Sequence, residues 1–122
     1  MVAPEGDSGS AIADFDRAIK LDPKFAAAYS SRGVAYSRRS DFTRALADLD
    51  NAIRIDGKFA GAYNDRGLVN AATGKVDRAL ADFSQAIKLN PGYDIAYNNR
   101  GQVYRSKGDL DQAIEDFDQA VK

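Results

Sequence analysis

The chain has 122 residues, of which 44% are hydrophobic and 29% charged, a composition typical of one folded domain. Its 17 Lys and Arg are balanced by 18 Asp and Glu, so it lacks the basic excess of a general nucleic-acid binder. It contains no cysteine and no histidine, which excludes disulfides, thiolate nucleophiles, imidazole bases and nearly all zinc sites, and no cofactor is predicted.

Neither a membrane segment nor a targeting signal can be recognised. No apolar run approaches the roughly 18–20 residues that a membrane span needs, so we expect no membrane association. The opening stretch "MVAPEGDSGS" lacks the charged-then-apolar pattern of a secretion signal. Since a chain without cysteine is compatible with reducing and oxidising surroundings alike, the compartment stays undetermined.

The first predicted element is an amphipathic helix in "GDSGSAIADFDRAIKLDP", residues 6–23, which stops at Pro23 because proline cannot continue a helix. We call this segment and its later copies type B. Ser8 stands where the later copies have apolar residues, namely Phe42, Val76 and Leu110. The small residues around Ser8 disfavour a firm helix start.

A second kind of helix, type A, follows in "AYSSRGVAY", residues 28–36. Its apolar face is formed at i, i+4 and i+7 by Tyr29, Gly33 and Tyr36. Type B then returns at residues 40–57. Its stripe at i, i+4, i+7 and i+8 consists of Ala45, Leu49, Ala52 and Ile53.

Both segments recur at one fixed interval through the rest of the chain. Type A returns at residues 62–70 and 96–104, and type B at residues 74–91 and 108–122. Helical hairpins that cannot bury their apolar faces alone must stack on one another. The predicted fold is therefore all-α, an α-solenoid of seven helices arranged in antiparallel helix-turn-helix repeats.

These residues resemble the tetratricopeptide repeat family, whose unit of about 34 residues matches the interval from Tyr63 to Tyr97. The family pattern is present as Tyr63, Gly67, Ala79, Phe83, Ala86 and Pro91, and again as Tyr97, Gly101, Tyr104, Ala113, Phe117 and Ala120. The departures are Asn70 for an aromatic residue, Leu49 for Phe and Gly57 for Pro. The resemblance implies a right-handed superhelix with a partial repeat (second helix only) at 1–25, repeats at 26–59 and 60–93, and a repeat truncated at its end at 94–122.

Each type A helix carries an arginine beside its stripe glycine. Since a helical glycine costs about 0.5–1 kcal/mol relative to alanine, its recurrence predicts close helix packing rather than a phosphate-binding loop. The arginine takes a slot that is usually apolar in the family, and a guanidinium fork suits a partly buried carboxylate. We expect a structural ladder of Arg32, Arg66 and Arg100 with Asp14, Asp48, Asp82 and Asp116. The alternative is that the three arginines are held ready for an anionic ligand.

In the family, the face of the A helices that points away from the B layer lines a concave groove. Carried over by position, the resemblance implies a partner-binding groove of Ser30, Val34, Ser37, Arg38, Asn64, Leu68, Asn98, Asn99, Gln102 and Arg105. This lining is small, rich in amides and weakly basic, which favours an extended partner with an acidic segment or a C-terminal carboxylate. The alternative is an ordinary solvated helix surface.

Two groove chemistries of the family can be compared by position. The carboxylate clamp of chaperone-binding members needs Lys, Asn and Arg side chains, and it is absent because the corresponding residues are Ser30, Val34, Asp65, Ile95 and Asn99. The asparagine ladder of glycosyltransferase-type arrays falls on Ser31, Asp65 and Asn99, of which only the last matches.

Both ends of the repeat array are open. The first B helix has no A helix before it, and Lys122 closes the chain without the polar capping helix that solenoids need for solubility. Ile114, Phe117 and Val121 are therefore expected to be partly exposed. We expect a fragment of a longer array, and open apolar ends also favour a homo-oligomer formed by head-to-tail stacking or exchange of a terminal helix.

The sequence favours a non-enzymatic protein–protein interaction module that binds an extended peptide or a partner helix in its concave groove. The second hypothesis is a self-assembling structural scaffold joined through its uncapped end helices. No catalytic or metal-binding residue is predicted, because pairs such as Asp14/Asp16 and Asp116/Asp118 are splayed apart across a helix. The fold by itself does not identify a partner.

Overall fold

The computed structural model describes residues 4–122, with side chains from residue 9 onward, and this part of the chain forms seven helices. They are α1 (Pro4–Leu21), α2 (Ala26–Arg38), α3 (Phe42–Ile55), α4 (Ala60–Ala72), α5 (Val76–Leu89), α6 (Asp94–Lys107) and α7 (Leu110–Ala120). The even-numbered helices are the predicted type A and the odd-numbered ones type B. Contrary to expectation, α1 begins at Pro4 and runs through the Ser-Gly-Ser stretch. The Ser8 side chain lies outside the described part.

The helices pack as a curved stack of hairpins. The closest pairs are α2 with α3, α4 with α5, and α6 with α7, and each hairpin packs on the next through a B helix and the following A helix. Successive A helices also contact each other, whereas no two B helices do among the described elements. Because the A layer is the more closely spaced one, it lies on the concave side. The predicted all-α solenoid is confirmed.

The core forms where each A helix meets the B helix of its own hairpin. Leu49 and Phe83 are 0% exposed at these contacts. A Cβ atom on Gly67 would lie 2.7 Å from Cε1 of Phe83, and one on Gly33 would lie 3.0 Å from Cγ of Leu49. The stripe glycines therefore allow the two helices of a hairpin to approach closely.

The turn from A to B has a left-handed residue at the same position in each repeat. Gly74 and Gly108 have φ of 80° and 89°, whereas the first repeat places Ser40 there with φ of 61°. Glycine adopts this conformation without a steric cost, but serine does not. The first A-to-B turn is therefore the strained one.

The last helix presents apolar side chains to solvent. Ile114 is 58% exposed and Val121 85% exposed, as the sequence predicted. Phe117 is partly exposed, also as predicted, and its ring packs against Gly101. Within residues 4–122, no helix is long and apolar enough to cross a membrane.

Candidate partner-binding groove

The three repeat arginines each form a two-point contact with an aspartate of the next B helix. In the first repeat, Nε and Nη2 of Arg32 donate to the two carboxylate oxygens of Asp48, at 2.9 and 2.7 Å. Arg66 binds Asp82 and Arg100 binds Asp116 in the same way, at 2.8–3.2 Å. The aspartates are buried in the interface between the helices of one hairpin. Such forked pairs have a defined geometry and hold the two helices in register.

Each arginine also reaches the preceding B helix through its third nitrogen. Nη1 of Arg32 donates to Asp16 at 2.8 Å and Nη1 of Arg66 to Asp50 at 3.0 Å. In the last repeat, Nη1 of Arg100 donates to Oγ of Ser84 at 3.0 Å. One guanidinium therefore links three helices and two repeats. The sequence analysis missed this second set of partners, although they too occupy one equivalent position in each repeat.

Asp14 does not join the ladder that the sequence predicted. Its side chain is 74% exposed, and its closest cation is Arg17 of the same helix, at 4.0 Å. The arginine that would pair with it belongs to an A helix before α1, and the described residues contain none. The ladder in the structure therefore has three rungs.

Aromatic and amide side chains complete the surroundings of each guanidinium. Arg32 lies over the rings of Tyr29 and Tyr36, at 5.6 and 6.0 Å from their centres. Arg66 lies over Tyr63, and Asn70, which replaces the second tyrosine, donates to Asp82 at 2.9 Å. The departure at position 70 therefore exchanges a cation–π contact for a buried hydrogen bond.

The electrostatics of the ladder favour its structural interpretation over the anionic-ligand alternative. The hydrogen bonds that Arg66 donates to Asp82 raise the pKa of Arg66 against the opposing effect of burial, and those donated to Asp116 raise the pKa of Arg100 in the same way. Three of the nitrogen donors of Arg66 are already bound to carboxylates of Asp82 and Asp50. An external anion would have to compete with both of these carboxylates.

The concave side contains two pockets that are copies of each other, displaced by one repeat. The first has a volume of about 130 Å³ and lies between α2 and α4. Its lining consists of Val34, Ser37, Arg38, Leu49, Asp65, Leu68 and Val69. The second has a volume of about 210 Å³ and lies between α4 and α6. Its lining consists of Leu68, Ala71, Val76, Phe83, Asn99, Gln102, Val103 and Ser106.

The correspondence between the two pockets is position by position. Val34, Asp65 and Val69 in the first pocket are replaced one repeat later by Leu68, Asn99 and Val103. Leu68 lines both pockets and is 44% exposed, so it forms the ridge between them. The first pocket has a carboxylate where the second has an amide, and Arg38 lines only the first pocket.

Two of the ten predicted groove residues are not on the groove surface. Ser30 is 5% exposed and Asn64 is 3% exposed. Ser30 donates to Asp65 at 3.3 Å, and Asn64 accepts from the amide of Asn99 at 3.1 Å. This position faces the next A helix, since the A layer is closely spaced, so its side chains join neighbouring repeats.

The other eight predicted groove residues are at least partly exposed. Six of them line one of the two pockets, namely Val34, Ser37, Arg38, Leu68, Asn99 and Gln102. Asn98 and Arg105 are exposed outside them. Asn98 is the repeat equivalent of the buried Ser30 and Asn64, and it is exposed because no described A helix follows α6.

Asp65 belongs to the groove, although the sequence analysis used it only to show that known binding motifs are absent. Burial raises the pKa of its carboxyl to about 6, and the hydrogen bond from Ser30 opposes that shift. Burial also raises the pKa of Tyr93, and the negative charge of Asp65 adds to this effect. The only sequence signal for Asp65 is that an acid stands where the next repeat has Asn99.

The described side chains offer no metal site, since no three acidic, histidine or cysteine residues among them come together. Two further pockets lie beside the ladder, one next to Arg66 and one next to Arg100, and a ladder aspartate that lines each, Asp82 or Asp116, already binds the arginine. The two concave pockets are thus the candidate site for a partner.

Comparison with known proteins agrees with the fold. A family model described as tetratricopeptide repeat matches residues 64–122, and one described as TPR repeat matches residues 5–40. No curated protein matches this sequence.

Several solved structures are similar to the chain. A crystal structure of MamA is 31% identical with a TM-score of 0.84, covering 93% of this chain and 67% of that one. A second MamA structure is also 31% identical, with a TM-score of 0.83, and 62% of its length is covered. The chain thus spans about two thirds of the length of these MamA structures.

A shorter solved structure is the second TPR of Spaghetti (RPAP3) bound to the HSP90 peptide SRMEEVD. It is 27% identical with a TM-score of 0.76, covering 81% of this chain and 93% of that one. The family models, these structures and the repeat pattern of the sequence agree in their assignment. The chain therefore belongs to the tetratricopeptide repeat family.

Proposed function

We propose that this chain is a protein-interaction module that binds an extended segment of a partner in the groove formed by α2, α4 and α6. The observation that carries the proposal is the pair of repeat-related pockets, because they offer two similar side-chain sites along one line of the concave surface. The tetratricopeptide repeat is generally a non-catalytic interaction unit, and a solved relative holds a peptide.

The relative's peptide is not itself the expected ligand. SRMEEVD is acidic, whereas the centre of this groove carries the carboxylate of Asp65, and the clamp positions hold Ser30, Val34 and Ile95. The weakly basic groove expected from the sequence did not include Asp65. An acidic partner remains the alternative, for which Arg38 and Arg105 are the available cations.

A second candidate function is self-assembly through the exposed face of α7. Its support is the exposure of Leu110, Ile114 and Val121, at 60%, 58% and 85%. An apolar face of this kind suits a second copy of the chain, stacked end to end.

One experiment separates the two candidates. Leu68→Glu places a charge on the ridge between the pockets, and Ile114→Glu makes the same kind of change on α7 at similar exposure. We expect Leu68→Glu to lose the partners captured by the wild type and Ile114→Glu to keep them, with each variant's mass in solution measured by light scattering. Loss only in Ile114→Glu, together with a smaller mass than the wild type, would support self-assembly instead.

A further inference from the structure

We infer that the first groove pocket binds a basic side chain, lysine or arginine, of an extended partner segment, while the second pocket binds an uncharged side chain of the same segment. This inference rests on the proposed function, because it assigns the chemistry of a partner bound in that same groove.

The carboxylate of Asp65 has far fewer partners than the other half-buried or buried carboxylates. Its hydrogen bond comes from the hydroxyl of Ser30 at 3.3 Å, and no cation among the described residues lies within ion-pair distance. By contrast, Asp82 accepts from two nitrogens of Arg66 and from Asn70. A half-buried carboxylate without a cation gains more from an incoming ammonium or guanidinium than from any neutral group.

The walls of the first pocket suit the rest of such a side chain. Val34, Leu49 and Leu68 provide an apolar lining beside the carboxylate. Lysine and arginine bury their methylene stems along apolar surface and place the charge at the tip. A pocket of about 130 Å³ with apolar walls and one carboxylate therefore suits both the apolar stem and the charged tip of such a side chain.

Few other charged or titratable groups border this pocket. Arg38 of α2 also lines the pocket, but its side chain is exposed and forms no ion pair with Asp65. The hydroxyl of Tyr93, which precedes α6, lies 3.7 Å from where a Cβ of Gly61 would be, one helical turn before Asp65. From α3 only Leu49 lines the pocket. Burial holds the pKa of Asp65 at about 6, so the carboxylate is charged at neutral pH and its charge is lost in mild acid.

The spacing of the pockets restricts the conformation of the partner. Closely packed helices lie about 8–10 Å apart, and since successive A helices also contact each other, we expect the two pockets to be separated by at least about that distance. A polyproline II segment has about three residues per turn and rises about 3.1 Å per residue, so side chains three apart point the same way about 9 Å apart. The expected motif has a basic residue and an uncharged residue three positions apart.

The test uses arrays of acetylated and amidated octapeptides with each position varied in turn, probed with the wild type, Asp65→Asn, Leu68→Arg and Asp111→Asn. Asp111→Asn is the control for loss of one negative charge, because Asp111 is exposed on α7, outside the groove. The best binding peptide and its lysine-to-norleucine counterpart are then titrated by fluorescence anisotropy at pH 7.5 and pH 5.

We expect the wild type to select lysine or arginine at one position. Asp65→Asn, the norleucine peptide and pH 5 should each weaken binding by about tenfold or more, as for other desolvated charge pairs. Asp111→Asn should bind like the wild type, and the affinity of Asp65→Asn should not change between the two pH values.

Selection of acidic residues by the wild type, or a basic preference that persists in Asp65→Asn, would overturn the inference while leaving groove binding intact. A different result contradicts the proposed function itself: the wild type retains no peptide better than Leu68→Arg does, although the arginine of that variant would repel a basic side chain from the first pocket. The two failures are therefore distinguishable.

Discussion

At the scale of single residues, Asp65 is a position where folding and binding make opposite demands. Asn99 shows that an amide fits the equivalent site of the next repeat and makes a good hydrogen bond across the A layer. The carboxylate at position 65 has its charge disfavoured by burial instead. A residue that costs stability where a neutral one would fit is a candidate for a functional role.

Asp65→Asn should stabilise the protein at neutral pH but not in acid. The native pKa of about 6 lies above the ordinary aspartate value of 3.8, so between these values the native state binds more protons than the unfolded state. Protonated Asp65 therefore adds to the free energy of unfolding below about pH 4, and this contribution is lost as the pH rises through about 6. Because asparagine carries no charge at any pH, Asp65→Asn does not lose this contribution at neutral pH. In urea titrations, the variant should match the wild type at pH 4 and exceed it by about 1–2 kcal/mol at pH 7.5, allowing for partial exposure. A difference that does not change with pH would contradict the assignment.

Gly67→Ala should destabilise the protein although alanine is the better helix former. The gain in helix propensity is about 1 kcal/mol, whereas the added methyl would meet the ring of Phe83 at 2.7 Å, and that ring is fully buried. Overpacking of this kind costs about 1–3 kcal/mol. Thermal and urea unfolding should show a net loss of up to about 2 kcal/mol. Gly33→Ala is the matched control, with a smaller expected effect because its closest approach, to Leu49, is 3.0 Å. A larger loss in Gly33→Ala would show that ring packing is not the cause.

At the scale of the helical elements, the repeats differ most in their turns. The A-to-B turn of the first repeat has Ser40 in the left-handed region, where the other two have Gly74 and Gly108. Its N–H still donates to the carbonyl of Ser37 at 2.9 Å, so the turn is formed despite the side chain. The strain therefore lies in the backbone of one residue and can be removed without altering a contact.

Ser40→Gly should stabilise the first hairpin. A non-glycine residue in the left-handed region costs about 1–2 kcal/mol, and part of the gain is offset by the greater freedom of glycine in the unfolded chain. We expect about 0.5–1 kcal/mol of added stability in urea unfolding. The reverse change, Gly74→Ser at the equivalent exposed turn, should cost a similar amount. A loss of stability in Ser40→Gly would mean that the serine side chain stabilises the turn by more than the backbone strain costs.

The elements and their pairing could be predicted from the sequence, because the apolar stripes recur at the same interval in every copy. Contacts within one hairpin, such as those that bring Arg66 to Asp82, follow from the same helical faces. Contacts between hairpins did not follow, because they depend on how far each repeat is rotated on the last. That rotation decides that Asp50 reaches Arg66 and that Ser30 and Asn64 are buried against the next A helix.

At the scale of the whole molecule, the ladder makes neighbouring repeats depend on one another. Solenoid stability is the sum of the stabilities of single repeats and the interfaces between them. Each guanidinium spans both kinds of contact, since Arg66 binds Asp82 within its hairpin and Asp50 of the preceding one. Arg66 and Arg100 keep their positive charges, because Asp82 and Asp116 raise the pKa of these arginines above an already high value. Loss of one rung should thus weaken the cooperation between repeats as well as one hairpin.

A double-mutant cycle on Arg66 and Asp82 measures this coupling. Asp82→Ala leaves a partly buried guanidinium and the buried amide of Asn70 without their partner, and should cost about 2–4 kcal/mol. Arg66→Leu should cost less, because leucine suits a position that is usually apolar in the family. The double-mutant cycle should give an interaction energy between Arg66 and Asp82 of about 1–3 kcal/mol. Asp50→Asn tests the link between repeats, since the Asp50 side chain is 63% exposed and its loss should cost less than about 1 kcal/mol while broadening the urea transition. If Arg66→Leu leaves both the wild type and Asp82→Ala unchanged in stability, the arginines are not structural and the anionic-ligand alternative becomes the better account.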